Sequence, residues 1–197
     1  LCFEDLDNPI ELFKKWFSKA EKSEINDPNA VAVATSNKDN QPNVRMVLLK
    51  GLSEKGFVFY TNFNSKKGEE LKENQKASMC FHWKSLRRQV RAIGKVEQVS
   101  DKEADDYFNS RPYKNRIGAW ASSQSKILDK RETFLKNIKE FETKFPDQNN
   151  VPRPPHWSGW RLLPDEIEFW LDGDGRIHER LNYRRNNNKW IKELLYP

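Results

Sequence analysis

An α+β domain built on an antiparallel barrel is the fold the sequence predicts, and three observations predict it. Apolar runs rich in β-branched and aromatic residues follow one another closely between residues 30 and 99, separated by turn residues or one short helical stretch. Helical stretches are attached to this block rather than alternating with every strand, as a doubly wound fold would require. No GxGxxG follows a strand and no GxxxxGK(S/T) occurs, so neither a Rossmann pyrophosphate turn nor a P-loop is expected. With 197 residues, 36% hydrophobic and 12% aromatic, the chain has material for one sizeable core, and a single domain spanning residues 1–197 is expected.

The elements follow in order. In "DNPIELFKKWFSKAEKSE", Asn8 can cap a helix whose first turn accepts Pro9, and Ile10, Phe13, Phe17 and Ala20 form one apolar stripe. "AVAVATSNKDNQPNVRMVLLKG" and "GFVFYTN" read as strands broken by turn residues, and "SKKGEELKEN" as a short helix. "KASMCFHW" and "RRQVRAIGKVEQV" are further strands. Ser100 can cap "DKEADDYFNS", a helix that Pro112 stops. "DKRETFLKNIKEFETKF" supplies a longer helix, "PDQNNVPRPP" a proline-rich connection, and strands within residues 157–197 finish the chain.

Charge and cysteine content exclude several classes. The 35 basic and 29 acidic residues give a net charge of +6, which favours anionic partners but does not choose between nucleic acid and small phosphates. The charges are interleaved, as in "KKGEELKENQK", so most belong to a solvated surface. Cys2 and Cys80 offer neither a disulfide framework nor metal-ligand spacing, which suits a reducing cytoplasm. Apolar stretches such as "VRMVLLKGL" fall far short of the roughly 20 residues needed to cross a bilayer, and no signal peptide opens the chain, so a soluble protein without a membrane partner is expected. Because the sequence opens on Leu1 rather than Met, a leader segment is expected to have been trimmed or not to be represented in it. His82, His156 and His178 are scattered, and Arg176 and Ile177 break the calcium-loop pattern after "DGDG", so no metal is expected. That acidic, glycine-rich piece reads instead as a hairpin turn bringing Trp170 close to Arg176.

What remains are clusters suited to phosphate. Arg45 and Lys50 stand five apart in "RMVLLK" and differ in parity, so on a regular strand they serve opposite faces or two anions. Tyr60, Thr61 and Ser65 precede Lys66 and Lys67 at a strand-to-helix junction, where free N–H groups and the helix dipole favour an anion; two lysines at a helix start are otherwise ordinary surface. Tyr107, Ser110 and Arg111 end a helix, where an arginine can also simply serve the last carbonyls. Arg176, His178 and Arg180 recur at every second position of what reads as a strand; three cations on one face repel unless something anionic lies against them, the alternative being a polar outer face.

The succession "RMVLLKG", "FYTNFNSKKG", "RRQVR", "YFNSRP", "IGAWASSQS" and "IEFWLDGDGRIHERLNYRR" resembles the pyridoxamine 5′-phosphate oxidases, from the first helix to the final "LLYP". Glu-Phe-Trp followed after a short turn by Arg-aliphatic-His-acid-Arg, within residues 157–197, is the most specific part of the likeness. The resemblance implies a homodimer of FMN-binding split β-barrels, with the flavin between subunits. By position it implies FMN phosphate ligands at Arg45, Lys67, Lys66 and Ser65, and a flavin lining at Met46, Val47, Leu48, Leu49, Lys50, Tyr60 and Thr61. Gln89, Gln124, Ser125, Trp170 and Arg180 match further FMN contacts. Lys50, Tyr107, Arg111 and Asn115 would hold the substrate phosphate, while Arg176, Ile177 and His178 would meet the pyridine ring, Arg176 and His178 as catalytic residues.

The activity so implied is oxidation of pyridoxamine or pyridoxine 5′-phosphate by dioxygen to pyridoxal 5′-phosphate, releasing hydrogen peroxide. Three positions depart from the family's usual pattern: Asn115 replaces a common serine, Leu171 a polar residue after Glu-Phe-Trp, and Glu179 the commoner aspartate. An N-terminal segment that in this family can fold over the substrate is expected to be missing. Two other classes are a split-barrel flavin oxidoreductase with another substrate and a non-enzymatic nucleic-acid-binding barrel, the latter suggested by positive charge and aromatic strands.

Overall fold

The computed structural model describes residues 3–197, so the expectation about Cys2 lies outside the described residues. Nine antiparallel strands form one sheet: β1 (Ala30–Ser36), β2 (Pro42–Leu48), β3 (Gly51–Ser53), β4 (Gly56–Asn62), β5 (Lys76–Trp83), β6 (Arg88–Gln98), β7 (Trp157–Leu171), β8 (Glu179–Asn186) and β9 (Lys189–Leu195). The order is β2-β1-β5-β6-β7-β4-β3, with β8 pairing β7 and β9 pairing β8. Five helices attach to it: α1 (Pro9–Ser23), α2 (Lys66–Glu73), α3 (Asp101–Ser110), α4 (Tyr113–Ala121) and α5 (Arg131–Lys144). This is the expected α+β arrangement. No helix among the described residues is long and apolar enough to cross a membrane.

Local chemistry accounts for most boundaries. The Asn8 side chain accepts from the Ile10 N–H at 2.9 Å, and Pro9, with no N–H to leave unpaired, opens α1. Ile10, Phe13 and Ala20 are buried as the periodicity requires, but Leu12 and Trp16 complete the inner face while Phe17 is only half-buried. The Phe13 ring meets Phe57 and Phe81 edge-on at 5.0 and 4.9 Å, joining α1 to β4 and β5 in the main core. Burial of such a side chain contributes roughly 1.5–3 kcal/mol. Ser100 caps α3 by accepting from Glu103, as its position suggested.

Three expectations need correction. Pro112 does end α3, but it also stands as the N-cap residue of α4, a helix the sequence reading did not assign; proline is excluded from helix interiors and tolerated at their starts. Lys50 lies beyond the end of β2, its N–H donating to the Val58 carbonyl, so strand parity does not relate it to Arg45. The Arg-x-His-x-Arg stretch is not one strand face either. β7 ends at Leu171 and β8 begins at Glu179; between them a 3-10 turn, Asp174–Arg176, carries Gly175 and Arg176 at positive φ of 63° and 65°. Only Arg180 of the three lies on a strand, because consecutive left-handed residues reverse the chain and destroy the two-residue period. Trp170 pairs with Arg180 in register and meets the His178 ring at 4.6 Å.

Strand β2 occupies a sheet edge. Asn43, Arg45 and Val47 form its half-buried face, while Val44, Met46 and Leu48 are 69%, 62% and 38% exposed.

Candidate functional site

A cleft of about 1100 Å³ opens where β2, the end of β4, the start of α2, and the α3–α4 junction converge. Most of the expected residues gather here: Arg45, Met46, Val47, Leu48, Lys50, Tyr60, Thr61, Lys66, Lys67, Tyr107, Arg111, Asn115, Gln124 and Ser125 all line it. Leu49 does not; its side chain is in the core, and both its backbone groups are taken by Asn29.

The electrostatics at the α2 end are unusual. Lys67 is only 7% exposed, and its ammonium donates to Thr61 Oγ1 at 2.7 Å, Ser65 Oγ at 3.3 Å and Gln124 Oε1 at 3.3 Å, all neutral oxygens. Burial, with the Arg45 cation adding to it, pulls its pKa down to about 8. Ordinary surface, one reading of this lysine pair, describes Lys66, which is exposed, but not Lys67. Ser65 is buried as the N-cap of α2, accepting from Gly68 N–H. Arg45 is held from behind: it donates to the Val33 carbonyl at 3.1 Å, Thr35 Oγ1 at 2.5 Å and Glu70 Oε2 at 3.3 Å. Glu70, itself buried, also accepts from Thr35 and Asn43. Neither Thr35 nor Glu70 was singled out in the sequence, since Glu70 sits among the exposed acids of a charged helix and only the fold shows which one turns inward.

The opposite wall is aromatic. Tyr60 stacks on Tyr107 at 4.0 Å and on Trp157 at 5.3 Å, and Gly159 makes this possible, because a Cβ there would stand 2.8 Å from the Tyr60 ring. Burial raises the Tyr60 hydroxyl to about 12 and the Tyr107 hydroxyl above its usual value, so both remain phenols. The Arg111 guanidinium lies over Trp157 at 4.7 Å, with its Nη1 buried and unbonded; burial depresses its pKa. Its N–H does serve the Phe108 carbonyl at the helix end, but its side chain is committed to the cleft. Trp157, Ser110, Lys114 and Ser122 also line the cleft and were not anticipated as lining, though Ser110 stood in the quoted "YFNSRP".

The remaining candidates form a second group. Gln89, Trp170 and Arg180 are register partners across β6, β7 and β8, so their side chains share one face. Arg180 forms a two-pronged pair with Glu168 at 3.0 and 3.1 Å and donates to the Tyr196 carbonyl at 2.9 Å, while Arg91 approaches the same carboxylate at 3.7 Å. Arg176 and Ile177 are exposed on the turn, and His178 lies against Trp170 and Asp172. None of this group lines the cleft of its own chain.

The cleft's chemistry fits FMN. A buried ammonium ringed by neutral oxygens at a helix start suits the phosphate, and the outer edge of β2, unpaired in the sheet, offers backbone donors and acceptors to a flat heteroaromatic ring. Among the described residues no cluster suited to a metal ion occurs.

Comparison with known proteins agrees with this geometry. Residues 17–145 match the family described as pyridoxamine 5′-phosphate oxidase, and residues 157–197 match the pyridoxine 5′-phosphate oxidase C-terminal dimerisation region. The chain is 58% identical to a pyridoxine/pyridoxamine 5′-phosphate oxidase of Pelagibacter ubique, covering 100% of this chain and 95% of that one. It is 55% identical to the enzyme of that name from Sinorhizobium fredii, over 99% and 95%. Among solved structures, PhzG from Burkholderia lata, in complex with tetrahydrophenazine-1-carboxylic acid, superposes with a TM-score of 0.92 at 31% identity, covering 98% of this chain and 95% of that one. A pyridoxamine 5′-phosphate oxidase-related FMN-binding protein from Nostoc punctiforme shares the fold, with a TM-score of 0.76 at 17% identity over 96% and 98% of the two chains. By both its matched regions and its full-length relatives, the chain belongs to the pyridoxamine 5′-phosphate oxidase family.

Proposed function

We propose that the chain oxidises pyridoxamine 5′-phosphate or pyridoxine 5′-phosphate to pyridoxal 5′-phosphate, using FMN and dioxygen, as one split-barrel domain that works as a homodimer. The observation that carries this reading is a pair of cations facing one cleft, the buried Lys67 and the half-buried Arg111 with its buried, unbonded Nη1, neither of which has a carboxylate partner among the described residues. A desolvated cation without a counter-ion is costly, and two of them at opposite walls call for two anionic groups.

Lys67, with Arg45, Lys66 and Ser65, would hold the cofactor's phosphate, and β2 with Tyr60, Thr61, Gln124 and Ser125 would hold its ring. Lys50, Tyr107, Arg111 and Asn115 would hold the substrate's phosphate. Bound FMN supplies two-electron oxidation at the substrate's C4′ carbon, with dioxygen as final acceptor and hydrogen peroxide as its product. Arg176 and His178 would orient the pyridine ring and move its protons, and hydrolysis then releases ammonia from the amine substrate. Because the Gln89, Trp170, Arg180 and His178 group does not line its own chain's cleft, its role requires a second copy, for which the matched dimerisation region is the natural means. A reducing cytoplasm suits the free thiol of Cys80.

The test is aldehyde formation from pyridoxine 5′-phosphate by the FMN-loaded protein, beside unphosphorylated pyridoxine. Leaving Arg111 unpaired should make the latter poorer by orders of magnitude in kcat/KM. Equal efficiency on both removes the phosphate assignment, and turnover of neither favours a split-barrel oxidoreductase with another substrate.

A further inference from the structure

On the β7–β8 turn, His178 Nδ1 lies 3.0 Å from Asp172 Oδ1. The same nitrogen lies 3.2 Å from the Gly173 N–H. One ring nitrogen cannot satisfy both, since the carboxylate needs Nδ1 to donate and the amide needs it to accept. A hydrogen bond to an ionised carboxylate is roughly twice as strong as one between neutral groups, so the carboxylate decides. We infer that Asp172 is a positioning residue, holding His178 in the Nδ1–H form so that Nε2 carries the lone pair offered to the substrate. The inference deepens the proposed function and rests on its assignment of His178.

The surroundings are built for this pairing. The second carboxylate oxygen of Asp172 pairs with Arg87, on the turn between β5 and β6, and the Asp172 N–H donates to the Arg87 carbonyl at 3.1 Å. Arg87 itself adopts a positive φ of 51°, so a left-handed residue is maintained where the two turns meet. Gly173 lets the chain fold back: a Cβ there would stand 2.0 Å from the Ile177 carbonyl oxygen. The Trp170 ring, 4.6 Å from the imidazole, limits its rotation from the other side. Asp172 and His178 side chains are both largely shielded, at 16% and 22% exposure, so the contact is not a solvent-averaged surface pair. Other charges close along the chain are Asp174, Arg176, Glu179 and Arg180, and Arg180 lies across Glu168.

Nitrogen-15 NMR of the imidazoles tests the pairing without any turnover, and the chain has 3 histidines, so loss of one set of signals in His178→Ala assigns it. In the unaltered protein, neutral His178 should be protonated at Nδ1; finding Nε2–H overturns the inference with no variant needed. In Asp172→Asn the tautomer should move toward Nε2–H, kcat should fall by about tenfold to a hundredfold, and KM should stay within about twofold, because no phosphate contact changes. Asp172→Glu should recover part of kcat. Unchanged His178 signals in Asp172→Asn overturn the pairing. A changed tautomer together with a His178→Ala protein that turns over like the parent overturns instead the catalytic assignment of His178.

Discussion

In the cleft, Lys67 is buried among three neutral oxygens and Arg111 keeps a bare Nη1. On the β7–β8 hairpin, Arg180 lies across Glu168 in a two-pronged pair and His178 lies on Asp172. The first region leaves Lys67 and Arg111 without anions, though Arg45 beside them has Glu70; the second supplies anions from within the chain. A site whose charges are unmatched gains its counter-charge from a ligand, and binding energy is concentrated there. A site whose charges are already matched gains little from an incoming anion but holds its side chains in a fixed geometry before anything binds. That difference corrects the expectation that three cations in "RIHER" must await a ligand, since two of them have carboxylates of their own.

The comparison is broken most sharply by removing an internal anion. Glu168→Ala should destabilise the cofactor-free protein by about 3 kcal/mol, because Arg180 and Arg91 then face each other uncompensated; the figure sits at the low end of the range because Arg180 is 26% exposed. Chemical denaturation measures it, and a loss below about 1 kcal/mol would show that the hairpin does not depend on the pairing. In the cleft the sign reverses. Lys67→Met should weaken FMN binding by about 2 kcal/mol, roughly thirtyfold in Kd, while leaving the cofactor-free protein at least as stable as before. Flavin-fluorescence titration and a thermal melt of the same sample separate the two effects.

Third in size, Arg176→Ala and His178→Ala should each retain the yellow cofactor and lose about 1.5 kcal/mol in transition-state stabilisation, whereas Arg180→Ala should lose FMN first. A colourless Arg176→Ala protein would put that residue with the cofactor instead. A gentler probe is pH. Because Lys67 titrates at about 8 in the folded chain against 10.5 unfolded, the unfolded chain binds more protons between those values, and stability of the cofactor-free protein should rise as pH climbs through that window. A bound phosphate favours the ammonium, so FMN binding near pH 9 should take up protons, seen by calorimetry in buffers of different ionisation heat. The smallest effect belongs to exposed Lys66, whose replacement by alanine should stay within about 0.5 kcal/mol in stability.

Where chemistry is local, the sequence was a good guide. Asn8 and Ser100 cap helices at the positions their side chains suggested, and β5 runs from Lys76 to Trp83, the length of its apolar run. The residues expected to hold phosphate were named from their types and from family likeness, and the cleft gathers most of them. What the sequence hid are features that depend on distant partners or on sign of φ. Glu70 turns inward only because Thr35 and Asn43 lie opposite it on β1 and β2. Arg176 leaves the strand only because the turn runs left-handed through it, a conformation its residue type does not favour. Asp172 was read as turn punctuation, since nothing in "LDGDG" reveals that it reaches the histidine six residues on.

The exposed row of Val44, Met46 and Leu48 on β2 carries a consequence for how the protein lives in a cell. An apolar strand with one backbone edge unpaired is a template for indiscriminate strand addition. A newly made chain is therefore hazardous as long as that edge stays uncovered, and in the proposed function a second copy and the flavin would cover it. Maturation becomes a race between assembly and aggregation, won more often as flavin supply rises, since a higher chain concentration speeds both. Melting temperature should accordingly increase with protein concentration even at constant FMN, and cells starved of riboflavin should accumulate this protein as insoluble material rather than as a colourless pool.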